Sequence, residues 1–325
     1  MRRDVRDCVL FLFLFFVVNL LVSGIVMAVA FMRSPEFLSL MADPAFLMDY
    51  MTGDLSEETG AALSAVISEA LDGTTMGLMS IFGIVVASLV FVIYRKRRFF
   101  GDVMMPAAEP MTVKVFVVLV VVTQAVQCVF SLLSSAIESV MPEGMSLEES
   151  YGAAVEALYT PVGLVYIVLI GPIFEELVFR GAVLGGLRKY GNNFAIIFSS
   201  LLFGFYHAII AQIPFAIVVG LLFGYVAVRW SLRASIVLHI VVNGLSVLLS
   251  FAGSGAALMM GGVLLLACVV VSVGFGIAWR EQLKVRVQAG AAYYANTYIN
   301  GFSSIAFWIF IFVMTLIGVA QISFV

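Results

Sequence analysis

Charge is scarce in this chain. Only 11% of its 325 residues are Asp, Glu, Lys or Arg, against 63% hydrophobic. Soluble domains carry about a quarter of their residues as charges, so this composition excludes a largely soluble protein and points to a polytopic membrane protein. The net charge of −3 by itself identifies no partner. No basic patch is interleaved with aromatics, which argues against a nucleic-acid partner. The three cysteines, Cys8, Cys128 and Cys268, lie in apolar runs at no metal-ligand spacing and read as small hydrophobes. No HExxH helix is present. No convincing repeat relates the two halves, which weakens an inverted-repeat transporter reading.

What is present is apolar length. A membrane-crossing helix needs roughly 20 mostly apolar residues, and nine stretches qualify: 8–32, 76–94, 113–137, 160–186, 193–212, 213–230, 235–252, 257–279 and 302–323. The expected fold is an all-α, polytopic transmembrane helical bundle of about nine spans in the lipid bilayer. The first run exceeds the ~7–15 apolar residues of a cleaved signal, so it reads as a retained anchor. The 193–212 and 213–230 spans, joined around Gln212-Ile213-Pro214, suggest a helical hairpin.

Basic residues fall at 2, 3, 6, 95–98, 114, 188, 189, 229, 233, 280, 284 and 286. Nine alternating spans put all of these on one side, which the positive-inside rule makes cytoplasmic. Only Arg33 falls on the other side, and Arg180 lies within a span. The expected placement is the plasma (cytoplasmic) membrane, with the N-terminus cytoplasmic and the C-terminus outside. The outer loops, 33–75 and 138–159, are acidic. Within the first, Ser56-Glu57-Glu58 followed by Ala62, Leu63, Val66, Ile67, Ala70 and Leu71 predicts a short amphipathic helix on the outer surface.

Ionisable groups inside a hydrocarbon slab are costly and usually face a partner or a cavity. Five occur in three apolar stretches: Glu175, Glu176 and Arg180; His207; and His239, the last two being the only histidines. Glu176 and Arg180, four apart, share a helix face and can pair. Glu175 is rotated by about 100° from Glu176 and lacks that partner, which suits a general base. Gly171-Pro172 lies just upstream. Pro172 cannot donate to the carbonyl four residues back, so a bend there can open a polar pocket beside Glu175. Phe203 and His207 share a face, as do His239 and Asn243. Carboxylate, imidazole and amide together are what water attack on a peptide bond requires. A structural Glu–Arg pair and satisfied core histidines are the plainer alternative.

The segments Glu175-Glu176-Leu177-Val178-Phe179-Arg180, Phe203-Gly204-Phe205-Tyr206-His207 and His239-Ile240-Val241-Val242-Asn243 resemble the EExxxR, FxxxH and HxxxN motifs of the CPBP intramembrane proteases. This is the CAAX prenyl protease 2-like, or Abi, family. The resemblance covers about residues 160–250. The stretches from Gly220 to Tyr225 and from Ser231 to Ile236 are similar in style. It implies an intramembrane endopeptidase, of metalloprotease type where a divalent metal such as zinc is used, with an eight-helix-like catalytic core. Glu175 would then activate water with His207 assisting. His239 and Asn243 would stabilise the oxyanion, and Glu176, Arg180 and Phe203 would support. Where a metal is used, Glu175, His207 and His239 would be its ligands. The implied organisation is N-terminal helices with acidic outer loops (1–159), a catalytic core (160–252) and C-terminal helices (253–325). The implied substrates are CAAX-type or other membrane-associated peptides or proteins, cleaved near the cytoplasmic face. A proton-coupled transporter using Glu175 and Glu176, and a non-catalytic membrane scaffold or immunity protein, are the competing functions.

Depth raises one conflict. Glu175 lies 13 residues before Arg188, roughly 20 Å along a straight helix, whereas His239 lies six after Arg233, roughly 9 Å. A straight reading leaves His239 too near the cytoplasmic face to meet Glu175.

Overall fold

The computed structural model describes residues 1–53, 56–95, 110–142, 145–146, 155–251, 297–321 and 323–324, with a few isolated positions between them. Within these, the chain is a helical bundle. Its elements are α1 (Arg2–Arg33), α2 (Pro35–Met41), α3 (Pro44–Thr52), α4 (Glu57–Ala70), α5 (Gly73–Arg95), α6 (Val113–Glu138), α7 (Pro161–Tyr190), α8 (Asn192–Tyr206), α9 (Gln212–Arg229), α10 (Leu232–Phe251) and α11 (Ile305–Ala320). A two-residue antiparallel pair, β1 (Met145–Ser146) with β2 (Ser323–Phe324), ties the loop after α6 to the C-terminal end. Six of the helices (α1, α5, α6, α7, α9 and α10) are long and apolar enough to cross a membrane, and α8 and α11 are shorter apolar helices. The expected 257–279 span lies outside the described residues.

The local rules of helix starts hold in the connections between the long helices. Ser34, Asp43 and Ser56 cap α2, α3 and α4 with side-chain oxygens that accept backbone N–H groups. Thr160 caps α7 in the same way, with Pro161 in the first turn, where its missing N–H is harmless. The helix α4 coincides with the predicted amphipathic segment, and none of its residues is buried.

The hairpin of α8 and α9 forms, but α8 ends earlier than the sequence pattern indicated. Ala208 takes a left-handed φ of 52°, so His207 closes α8 as its C-cap instead of standing inside a span. Pro214, which lacks an N–H, is tolerated only in the first turn of α9, so the break must precede it. The two helices touch closely at Gly204, where an added Cβ would stand 2.3 Å from the Ile217 side chain.

Two ends of the bundle are defined by contacts. At one, Tyr190 donates to Asp4 at 2.6 Å and Lys189 pairs with the same carboxylate. Arg188, Arg229 and Arg233 sit at helix ends on this side, the basic end. At the other, a Cβ on Gly73 would collide with the Ala157 carbonyl, the Tyr159 and Phe251 rings lie 5.1 Å apart, and β1 pairs with β2. This is the acidic end, where α4 and Glu156 lie.

The site is set by α7, which is not a uniform α-helix. Tyr166–Ile170 and Leu177–Leu184 are π-helical, with i→i+5 bonding. Wider turns use more residues per unit length, so the 13-residue separation of Glu175 from Arg188 covers less than straight-helix arithmetic assigns. Val178 to Leu184 are all buried, against α8 and α5 among others.

Candidate active site

Pro172 explains the first π turn. The N–H of Gly171 bonds to Tyr166, five residues back. The same register would have residue 172 donate to Ile167, and proline cannot. The orphaned carbonyl is therefore that of Ile167, five residues back rather than four. Asn243 of α10 supplies the missing donor, its Nδ2 lying 3.0 Å from that oxygen. The break ahead of Glu175 thus pins α10 to α7 at a residue of the HxxxN segment.

Glu176 is wholly buried and fully engaged. Its Oε1 lies 2.8 Å from Arg180 Nη1 and 3.1 Å from His239 Nδ1, and its Oε2 accepts from Ser235 Oγ at 2.6 Å. The Arg180 Nη1 contact is an ion pair lying off the hydrogen-bond line, while Nη2 donates to the Gly220 carbonyl at 3.2 Å. The Arg180 guanidinium lies over the Phe203 ring, 4.3 Å from its centroid, with the Phe223 ring 5.6 Å away on α9. A buried charge is tolerated only when paired and hydrogen-bonded, and this pair satisfies both conditions.

Glu175 is oriented differently. Its side chain keeps 18% exposure, and its Oε2 lies 3.8 Å from His239 Nε2. It lines a cavity of about 440 Å³ together with His207, His239, Asn243, Phe203 and Tyr166. The structure therefore brings Glu175, His207, His239 and Asn243 to one cavity, at a common depth.

The partners assign the imidazole tautomers. His207 Nδ1 lies 2.8 Å from the Phe203 carbonyl oxygen. A carbonyl only accepts, so Nδ1 carries the hydrogen and Nε2 keeps its lone pair. His239 Nδ1 lies 3.1 Å from the Glu176 carboxylate, an acceptor, so in its neutral form this ring also carries its hydrogen on Nδ1, with Nε2 3.8 Å from Glu175. The Phe203 ring holds both imidazoles edge-on, at centroid distances of 4.7 Å from His207 and 6.3 Å from His239.

A neutral Nε2 accepts and does not donate. In this tautomer His239 offers no hydrogen to an oxyanion, whereas the Asn243 amide has a second N–H beyond the one given to Ile167. Two Nε2 lone pairs and a carboxylate are donor chemistry that a zinc ion takes. Among the described residues, however, no three His, Cys, Asp or Glu side chains are arranged to hold a metal ion. The chemistry below is therefore derived from the side chains alone.

Ser235, Phe223 and the Ile167 and Gly220 carbonyls were not singled out from sequence. Ser235 had a signal: it lies four residues before His239, on the same helix face. The two carbonyls had none, because backbone acceptors are exposed only by the geometry of α7 and α9. Across the cavity, Ser246 of α10 donates to Gln127 of α6 at 2.7 Å, and Gln124 donates to the Val242 carbonyl at 2.9 Å.

A family model described as type II CAAX prenyl endopeptidase Rce1-like matches residues 157–245. That stretch is about a quarter of the chain and contains all of the motif residues from Glu175 to Asn243. No curated protein and no solved structure matches the chain. The segment that carries the cavity wall and the buried Glu176–Arg180 pair is therefore similar to the Rce1-like type II CAAX prenyl endopeptidases.

Proposed function

We propose that this protein is an intramembrane endopeptidase whose general base is Glu175. The observation that carries the reading is the division of labour between adjacent carboxylates. Glu176 is used up by Arg180, His239 and Ser235, while Glu175 stands at the cavity wall 3.8 Å from His239 Nε2. A water held between Glu175 and an imidazole Nε2 gives its proton to Glu175 as its oxygen attacks the scissile carbonyl carbon. The oxyanion that forms is stabilised by the free N–H of the Asn243 amide. Glu175 returns the proton to the leaving amine nitrogen as the C–N bond breaks, and the new carboxylic acid loses its proton to the site. His207 accepts from the attacking water, His239 is held in register by Glu176, and Phe203 fixes the spacing of the two rings.

The substrates of this reading are peptides or protein segments held at the membrane. The test is cleavage of a peptide panel by the purified protein, wild type against Glu175→Gln, with and without chelator. The expected result is cleavage by wild type in both conditions and a loss of about 10²–10⁴-fold in the variant. Equal behaviour of wild type and variant across the panel would remove the protease reading. Loss of wild-type cleavage with chelator, restored by added zinc, would replace the metal-independent chemistry with a metal-assisted one.

A further inference from the structure

The cavity has a direction. Its lining includes Val155, Leu158 and Tyr159 from the segment before α7, Gln212 from the start of α9 and Ser250 from the end of α10. All of these belong to the acidic end, where the Tyr159 and Phe251 rings also meet, tilted at 47°. None of the lining residues comes from 188–191 or 229–232, the connections at the basic end. Glu175, Phe223 and His239 form the inner part. The open space thus runs from mid-bundle to the acidic end and stops short of the basic one.

One helix carries a polar track along that path. His239, Asn243, Ser246 and Ser250 follow one another at intervals of four, three and four residues on α10, and all four line the cavity. At 1.5 Å per residue the track is roughly 16 Å long, the length of about five residues of extended peptide at ~3.3 Å each. Gln127 of α6 lines the cavity beside it. An extended backbone inside a membrane needs partners for its N–H and C=O groups. Ser246 and Ser250 donate to Gln127 and the Val247 carbonyl, which leaves their hydroxyl oxygens to accept substrate N–H groups, while Asn243 keeps its second N–H for a C=O.

We infer that the substrate reaches Glu175 from the acidic end of the bundle, along this track. The distribution of Lys and Arg places that end outside the cytoplasm. The substrate class is then a peptide segment at the outer half of the membrane, such as the outward-facing end of a membrane helix. It is not a C-terminal peptide presented from the cytoplasm. This replaces the expected reaction near the cytoplasmic face, because no part of the cavity lining reaches the basic connections. The substrate assignment rests on the endopeptidase reading, but the direction of access does not.

The test uses the full chain with Cys8, Cys128 and Cys268 changed to Ala and single cysteines restored at Ser250→Cys, Gln212→Cys or Asn193→Cys. Asn193 is exposed at the basic end and outside the cavity. A membrane-impermeant maleimide applied to intact spheroplasts is expected to label positions 250 and 212, and to label 193 only after permeabilisation. A bulky maleimide at 250 or 212 is expected to lower cleavage of the reporter peptide at least tenfold, and one at 193 to leave it within twofold. Labelling of 193 in intact spheroplasts with protection of 250 and 212 would overturn the outward direction. Inhibition through 193 alone would overturn the position of the mouth. If no variant and no wild type cleaves any peptide, the protease reading fails while the labelling still decides the direction.

Discussion

Asn243 donates its side-chain amide to the Ile167 carbonyl at 3.0 Å, and that carbonyl is free because residue 172 is proline. The pairing joins a backbone defect in α7 to a side chain at the proposed oxyanion position. Asn243→Ala should therefore act on stability and on rate. It strands a part-buried carbonyl, at a cost of about 1 kcal/mol. It also removes an oxyanion donor, which lowers kcat by roughly 10²–10³-fold. Pro172→Ala separates the two effects. The new N–H can satisfy Ile167 and release the Asn243 amide, so kcat should fall while thermal stability stays close to wild type. Parallel measurements of kcat, KM and Tm on both variants check this.

Adjacent carboxylates should give opposite phenotypes. Glu175 takes part in no strong ion pair among the described residues and lines the cavity, so Glu175→Gln should abolish cleavage with little change in Tm. Glu176→Gln should do the reverse in kind. It removes the charge that neutralises Arg180 and one of the two carboxylate oxygens that accept from His239 Nδ1 and Ser235 Oγ. Breaking a buried pair from one side costs about 3–5 kcal/mol. A thermal melt in detergent beside a single-turnover cleavage assay distinguishes the two. A Glu175→Gln protein as unstable as Glu176→Gln would contradict the assignment.

Asp72 offers a pH test outside the spans. Its carboxylate accepts the backbone N–H of Thr75 at 2.8 Å at the start of α5, and its carbonyl accepts the first helical bond from Met76. The hydrogen bonds from Thr75, the backbone one foremost, hold its pKa below the ordinary 3.8. A depressed folded-state pKa means that the stabilisation is present above the unfolded value. It is lost as pH falls through the folded one. Asp72→Ala should cost about 1 kcal/mol at neutral pH, as lost caps do, and the difference from wild type should shrink below about pH 3.8. Melts of wild type, Asp72→Ala and Asp72→Asn between pH 7 and pH 3 read this directly, with the Asn variant retaining most of the cap at every pH.

The membrane helices and the Glu176–Arg180 pair were legible in the sequence because each rests on a short-range rule, apolar length in one case and i,i+4 spacing in the other. The depth of His239 was not. Straight-helix arithmetic placed it apart from Glu175. The π turns of α7 shorten the separation by only a few ångströms, and the two meet through the packing of α7 against α10, which no residue pattern states. His207 was expected inside a span and instead ends one, since a left-handed Ala208 is a tertiary outcome. The target of Asn243 was hidden for the same reason. The proline announced a free carbonyl, but whether it lies four or five residues back depends on the turn that precedes it. The cavity's direction depends on which connections meet at one end of the bundle, and that needs the packed structure.

The Glu176–Arg180 pair supports one more separation, between stability and positioning. The pair is buried and flanked by the Phe203 and Phe223 rings, so its removal as a unit need not be costly. Replacing a buried pair by apolar residues of similar size is often neutral or stabilising. The double variant Glu176→Met, Arg180→Met should therefore recover most of the Tm lost in Glu176→Met alone. It should not recover activity, because His239 Nδ1 no longer meets a carboxylate and the ring is free to turn or change tautomer. Cleavage should stay at least tenfold below wild type, with kcat affected more than KM. Full recovery of both Tm and kcat in the double variant would show that Glu176 does not position His239.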